Sequence, residues 1–153
     1  MRRTKAQQLT ELILTVFRLN GALVDWGDGF CAPEGLTSAR WQMLGALALA
    51  GQPLTAPQVA ASMGVTRQGA QKQLNLLAQS GLVETRTNPQ HKRSPLFALT
   101  LQGQKTYAAV DKGWGEHAVR MAAAFSSADM EITTKVLSEL VGLYAPREHH
   151  HET

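Results

Sequence analysis

The stretch between Thr55 and Gly81 most narrows what this 153-residue chain can fold into. Thr55 can cap a short helix opening on Ala56-Pro57, where the missing proline N–H costs little near the first helical position. Val59, Ala60 and Met63 then share one face, and Gly64 stops the helix, with Val65 as a plug. Thr66 can cap a second helix, whose apolar positions Ala70, Leu74 and Leu77 follow helical spacing. Gly81 ends it after Ser80. Two short helices joined by a tight glycine turn form a helix-turn-helix. The small Ala60 allows the helices to cross closely, and Gly64 tolerates a left-handed turn.

After Gly81 the period changes. Residues 82–87 and 96–99 read as two strands rich in β-formers. Between them, residues 88–95 carry two prolines and the adjacent cations Lys92 and Arg93, which predicts an exposed hairpin tip. A ribbon placed after a helix-turn-helix is a wing. Amphipathic helices flank this unit. The first spans about 4–26 and carries Leu9, Leu12, Ile13, Val16, Phe17, Leu23 and Val24; Gly27, Gly29 and Pro33 should break it. Thr37 or Ser38 caps a second, with Trp41, Leu44 and Leu47, ending near Gly51. Thr100 caps a long helix marked by Tyr107, Val110, Trp114, Met121 and Phe125, with a bend or break expected at Gly113 and Gly115. A last helix, capped by Ser126 or Ser127, carries Ile132, Val136, Leu137, Leu140, Val141 and Tyr144. The fold class expected is mainly α with a small β-ribbon wing (α+β), a winged helix-turn-helix flanked by helices.

Charge sharpens this reading. The whole chain is only +3, but residues 36–103 hold six basic residues (Arg40, Arg67, Lys72, Arg86, Lys92, Arg93) against one acid, Glu84. A cationic middle on a mildly acidic frame points to a polyanionic partner. No apolar run approaches the ~20 residues of a membrane helix. The basic start lacks the apolar block of a signal peptide. A lone cysteine, Cys31, cannot form an internal disulfide, so a cytoplasmic location is expected. Enzyme chemistry finds no support. His91 and His117 lie far apart, and Asp25, Asp28 and Glu34 cluster without a His or Cys pair at metal-ligand spacing. There is no phosphate-cradling loop or nucleophile motif, so no catalytic residue, metal or cofactor is expected. His149 to His151 read as a solvated tail rather than a metal site.

In order and spacing, several phrases together resemble the MarR family of winged-helix transcriptional regulators. They are Leu36-Thr37 ahead of Trp41, Val59 through Arg67, Leu77 through Val83, Asn88-Pro89 ahead of Lys92-Arg93, and Leu99 through Gly103. The resemblance implies one MarR-like domain over 1–153, with a DNA-binding lobe at 36–103 and helical dimerisation regions at 4–29 and 104–145. Two departures stand out. The family's wing usually carries an acid two positions before an arginine, where this chain has His91 before Arg93. Gly69 lies inside the expected recognition helix, at a cost of about 1 kcal/mol relative to alanine.

The resemblance implies a homodimer binding double-stranded DNA at pseudo-palindromic half-sites about one helical turn, ~10 base pairs, apart. The expected DNA-binding residues are Thr55, Thr66, Arg67, Gln68, Gln71, Lys72 and Asn75 on the helices, and Arg86, His91, Lys92 and Arg93 on the wing. Arginine suits guanine edges, glutamine and asparagine suit adenine, and the wing cations suit phosphate. The expected function is a repressor released by a small aromatic or lipophilic effector. Trp26, Phe30, Trp41 and Met43 are candidates to line its pocket, with simple core packing as the alternative. Cys31 falls after the first helix and is expected to be a passive small residue. The competing reading is a winged helix used for protein docking, or a non-specific DNA binder without effector response.

Overall fold

The computed structural model describes residues 1–146. The triple histidine 149–151 lies outside the described residues. Helix α1 runs Lys5–Cys31, starting from a capping box in which Thr4 and Gln7 satisfy each other's backbone N–H groups. It does not stop at Gly27 and Gly29 as the sequence predicts. Gly27 is buried against Ser38, and a Cβ there would overlap the Ser38 hydroxyl. The glycine therefore serves a helix crossing, and that packing offsets its poor helical propensity. The chain turns instead through a single 3₁₀ turn at Ala32–Glu34, with Pro33 inside it.

Helix α2, Ser38–Ala50, is capped by Thr37 and buries Met43, Leu44, Gly45, Ala46 and Leu47 in its centre. Strand β1, Leu54–Thr55, leads directly into helix α3, Ala56–Met63, and helix α4 follows at Arg67–Gln79. Between α3 and α4, Gly64 takes the left-handed conformation (φ 65°) that an L side chain rarely adopts. Val59, Ala60, Ala70, Leu74 and Leu77 close the core between the two helices, each 2% exposed or less.

Strands β2, Val83–Arg86, and β3, Leu96–Leu99, form the expected ribbon. The sheet has a third member that the sequence does not reveal: β1 pairs antiparallel with β3, Leu54 opposite Phe97 and Thr55 opposite Leu96. The order is β1-β3-β2, so the inner wing strand is bonded on both edges, and Phe97 is 1% exposed at its centre. Two residues are too few to show a two-residue period, which is why β1 is invisible in one dimension.

Helix α5, Leu101–Ala122, runs unbroken through Gly113 and Gly115, correcting the expected break. No proline interrupts it, and two glycines within a helix cost propensity without removing a hydrogen-bond donor. Helix α6, Ser127–Tyr144, is capped by Ser126 and buries no residue. Contacts divide the chain into two units, residues 1–111 and the part from Lys112 onward, with the boundary inside α5. The core described above belongs to the first unit. The second presents apolar side chains to solvent, among them Val119, Phe125, Ile132, Val141 and Leu143.

Candidate nucleic-acid interface

Helix α4 is amphipathic in the way a groove-reading helix requires. Ala70, Leu74 and Leu77 are fully buried, while Arg67, Gln68, Lys72 and Asn75 are exposed and Gln71 is half-buried. The Gln71 amide donates to Asn75 Oδ1 at 2.9 Å, one turn further along. This pair holds two amides side by side with a carbonyl and further N–H donors unspent. Gln68, Gln71, Lys72, Asn75 and Leu76 surround a shallow depression on the helix surface. Thr66 caps the helix, accepting from the Gly69 N–H at 3.0 Å. A Cβ on Gly69 would sit 2.9 Å from that same hydroxyl, so the glycine inside α4 fits the cap. Thr55 is spent similarly at the start of α3, accepting from the Gln58 N–H at 3.3 Å while Gln58 Oε1 accepts from its N–H.

The wing tip is held by Asn88, whose part in the Asn88-Pro89 motif does not by itself reveal this role. Its Nδ2 donates to the Ser94 carbonyl at 3.0 Å, and its Oδ1 accepts from the Gln90 N–H at 3.1 Å. The His91 N–H donates to the Asn88 carbonyl and the Ser94 N–H to the His91 carbonyl. Asparagine opening a polar Pro-containing loop is the signal that could have marked it. In this chain, with His91 in place of the acid, the loop is closed by Asn88. His91, Lys92 and Arg93 are exposed on this frame. Arg86 differs from the other cations: its guanidinium is paired with Glu84 at 2.8 Å on the same strand face. The only acid of the 36–103 segment is thereby neutralised, leaving Arg40, Arg67, Lys72, Lys92 and Arg93 to carry the charge.

The aromatic candidates for an effector pocket lie on α1 and α2. Trp26 and Phe30 stack with centroids 4.7 Å apart, and Phe30 meets Trp41 at 5.5 Å. Phe30 and Trp41 pack on the core, and Met43, 1% exposed, is part of it. A separate cleft is lined by Leu47, Gln52, Arg86, Leu99, Gln104 and Tyr107, and it includes none of the four. Burial and the neighbouring Asp111 carboxylate push the Tyr107 phenol above its ordinary value. Cys31 ends α1 instead of following it, and it is wholly buried. Burial, with the Asp28 carboxylate adding to it, pushes its thiol up to about 11. The thiol stays neutral at physiological pH, so alkylation of the native protein by iodoacetamide at pH 8 should run far slower than that of the urea-unfolded chain. Equal rates would show that Cys31 is open to solvent.

A family model described as the MarR family matches residues 34–94. The uncharacterised protein Rv2011c of Mycobacterium tuberculosis is 37% identical over 140 residues, which cover 89% of this chain and 94% of that protein. Among solved structures, a MarR-family transcription regulator aligns with TM-score 0.74 at 27% identity, covering 92% of this chain and 93% of its own. Escherichia coli MarR with the mutation C80S, complexed with operator DNA, aligns with TM-score 0.72 at 18% identity, covering 91% and 99%. NadR in complex with 4-hydroxyphenylacetate aligns with TM-score 0.74 at 19% identity, covering 92% and 96%. The last two likenesses carry the fold alone. The chain belongs to the MarR family of winged-helix transcription regulators, DNA-binding proteins that perform no catalysis.

Proposed function

We propose that this regulator acts as a homodimeric repressor, reading a pseudo-palindromic operator with α4 in successive major grooves and the wing on the flanking backbone. The observation that carries it is the acid-free exposed face of α4, where Arg67, Gln68, Gln71, Lys72 and Asn75 stand beside a capped N-terminus. Arg67 and the Gln71–Asn75 amide pair offer the donors and acceptors that base edges complement. Thr66 and Thr55, whose hydroxyls already cap helices, would lie along the phosphates rather than read bases. Lys92 and Arg93, with His91 beside them, offer sequence-independent phosphate contacts, and Arg86 would join them only by leaving Glu84. The lobe over 36–103 is the reading unit in this account. The helices over 4–29 and 104–145 provide dimerisation, which their exposed apolar side chains support.

The finer part of the reading is release by a small aromatic or lipophilic effector at the Trp26–Phe30–Trp41 ladder, with Met43 behind it in the core. Its support is that ladder and the aromatic acid bound by NadR.

Mobility-shift titrations on the protein's own upstream DNA test the reading. Arg93→Ala should weaken binding to all sequences alike and reduce the slope of log K against log salt by about 0.9 for each phosphate no longer neutralised. Arg67→Ala should instead cost about 1–3 kcal/mol on the preferred site and relax its sequence preference. Equal affinity for operator and random DNA at physiological salt would defeat the proposal in favour of a non-specific binder.

A further inference from the structure

Among the described residues, Ser38 is the one buried polar side chain, 3% exposed, and it sits where α2 begins against the last turns of α1. Its hydroxyl donates to the Val24 carbonyl at 2.6 Å, and its backbone N–H donates to Asp28 Oδ1 at 2.8 Å. Val24 and Asp28 are one helical turn apart, so a single residue of α2 grips two successive turns of α1. Gly27 lies between them, and only its missing Cβ leaves room for the Ser38 hydroxyl. Asp28 also places a carboxylate at the N-terminus of α2, where the free N–H groups favour negative charge. On the same crossing, Trp26 and Phe30 of α1 stack toward Trp41 of α2.

A core needs none of this polarity to be stable, because a buried hydroxyl and a carboxylate cap add little net energy over apolar packing. What they add is direction. Apolar contacts are non-directional, whereas two hydrogen bonds to points one turn apart on α1 restrict both sliding and rotation at the crossing. Helix α1 otherwise buries only Gly27 and Cys31, and its exposed face carries Leu9, Leu14, Phe17, Leu19 and Leu23. Helix α1 is therefore tied to the reading lobe chiefly at this crossing.

We infer that Ser38, Asp28 and Gly27 form a positioning joint that fixes the separation and rotational phase at which the regulator accepts its two half-sites. The inference rests on the dimeric reading above. In it, α1 belongs to the shared body and α4 to the part that contacts DNA. The joint residues touch no base. They act by holding α2, and through the helix-turn-helix core they hold α4. Loosening them leaves each half-site contact intact while widening the range of spacings that the dimer fits.

The test measures affinity for a set of operators whose half-sites are separated by the natural spacer and by spacers one to three base pairs longer or shorter. Wild type should show a sharp optimum. Asp28→Ala and Ser38→Ala should flatten it, reducing discrimination between the best and the off-register spacers by about tenfold, within the usual range of site-to-site coupling. Affinity for a single half-site should stay unchanged. Asp28→Asn, which keeps an oxygen at the Ser38 N–H, should restore the optimum. Asp28 is exposed, so its variants keep the assay available even where Ser38→Ala folds poorly. Variants that lose thermal stability but keep the wild-type spacing optimum would overturn the joint while leaving the dimeric reading intact. A wild-type protein with no spacing optimum would overturn both.

Discussion

Gly103→Ala is expected to cost about 3 kcal/mol or more, near the top of the range for overpacked sites. Gly103 is buried in the first turn of α5, and its neighbours are backbone rather than flexible side chains. A Cβ would overlap the Leu82 carbonyl oxygen and stand 3.0 Å from the Leu82 carbonyl carbon. That carbonyl already accepts from the Thr100 N–H at 3.1 Å. The Thr100 hydroxyl donates to the Gly81 carbonyl at 2.6 Å and accepts from the Gly103 N–H at 3.0 Å. The added methyl must therefore push apart the start of α5 and the entry to β2, breaking bonds on both sides. Against a typical total of about 5–15 kcal/mol, the urea midpoint should fall by a large fraction. Gly115→Ala is the matched control: nothing lies within 4 Å of its Cβ position, and alanine is the better helix former by up to about 1 kcal/mol. A wild-type midpoint for Gly103→Ala would contradict this close approach.

Ile132→Glu is expected to abolish tight operator binding without unfolding the protomer. Ile132 is 63% exposed on α6, so a glutamate there disturbs no core. In a dimer that covers this face, the same change buries two unpaired carboxylates per complex, at several kcal/mol each. A monomer carries one reading lobe, and losing the second removes a gain of about 10²–10⁴ in apparent affinity. Sedimentation equilibrium at micromolar concentration should show wild-type dimer and variant monomer, with matching helical circular dichroism. A wild-type monomer would remove dimerisation from the proposed function. A dimeric variant with full affinity would place the interface on another face.

The helix-turn-helix was legible because each boundary carries its own local chemistry. The caps Thr55 and Thr66 and the stop Gly64 stand beside α3 and α4, and their hydrogen bonds span three or four residues. What the sequence concealed depends on partners far along the chain. Gly27 reads as a helix breaker until Ser38, eleven positions on, is packed against it. Strand β1 exists because Phe97 and Leu96 lie opposite it, more than forty residues away. The cations of the candidate interface were visible as a bare count. That Arg86 is tied to Glu84 follows from their two-residue spacing on one strand face, a pattern that a sum of charges does not register. Met43 sits in a helix whose apolar residues face several ways, so periodicity alone could not separate core from pocket lining.

The Asn88 frame of the wing tip has a thermodynamic consequence. Four hydrogen bonds fix residues 88–94 in the free protein, so the conformational entropy of that loop is surrendered during folding rather than on contact with DNA. In the proposed complex the tip would arrive preorganised, with its cations already displayed, and its docking would carry little of the ordering penalty that a flexible arm imposes. Under that proposal, encounter would be governed by long-range charge steering rather than by loop folding, and salt should act on the association rate as well as on affinity.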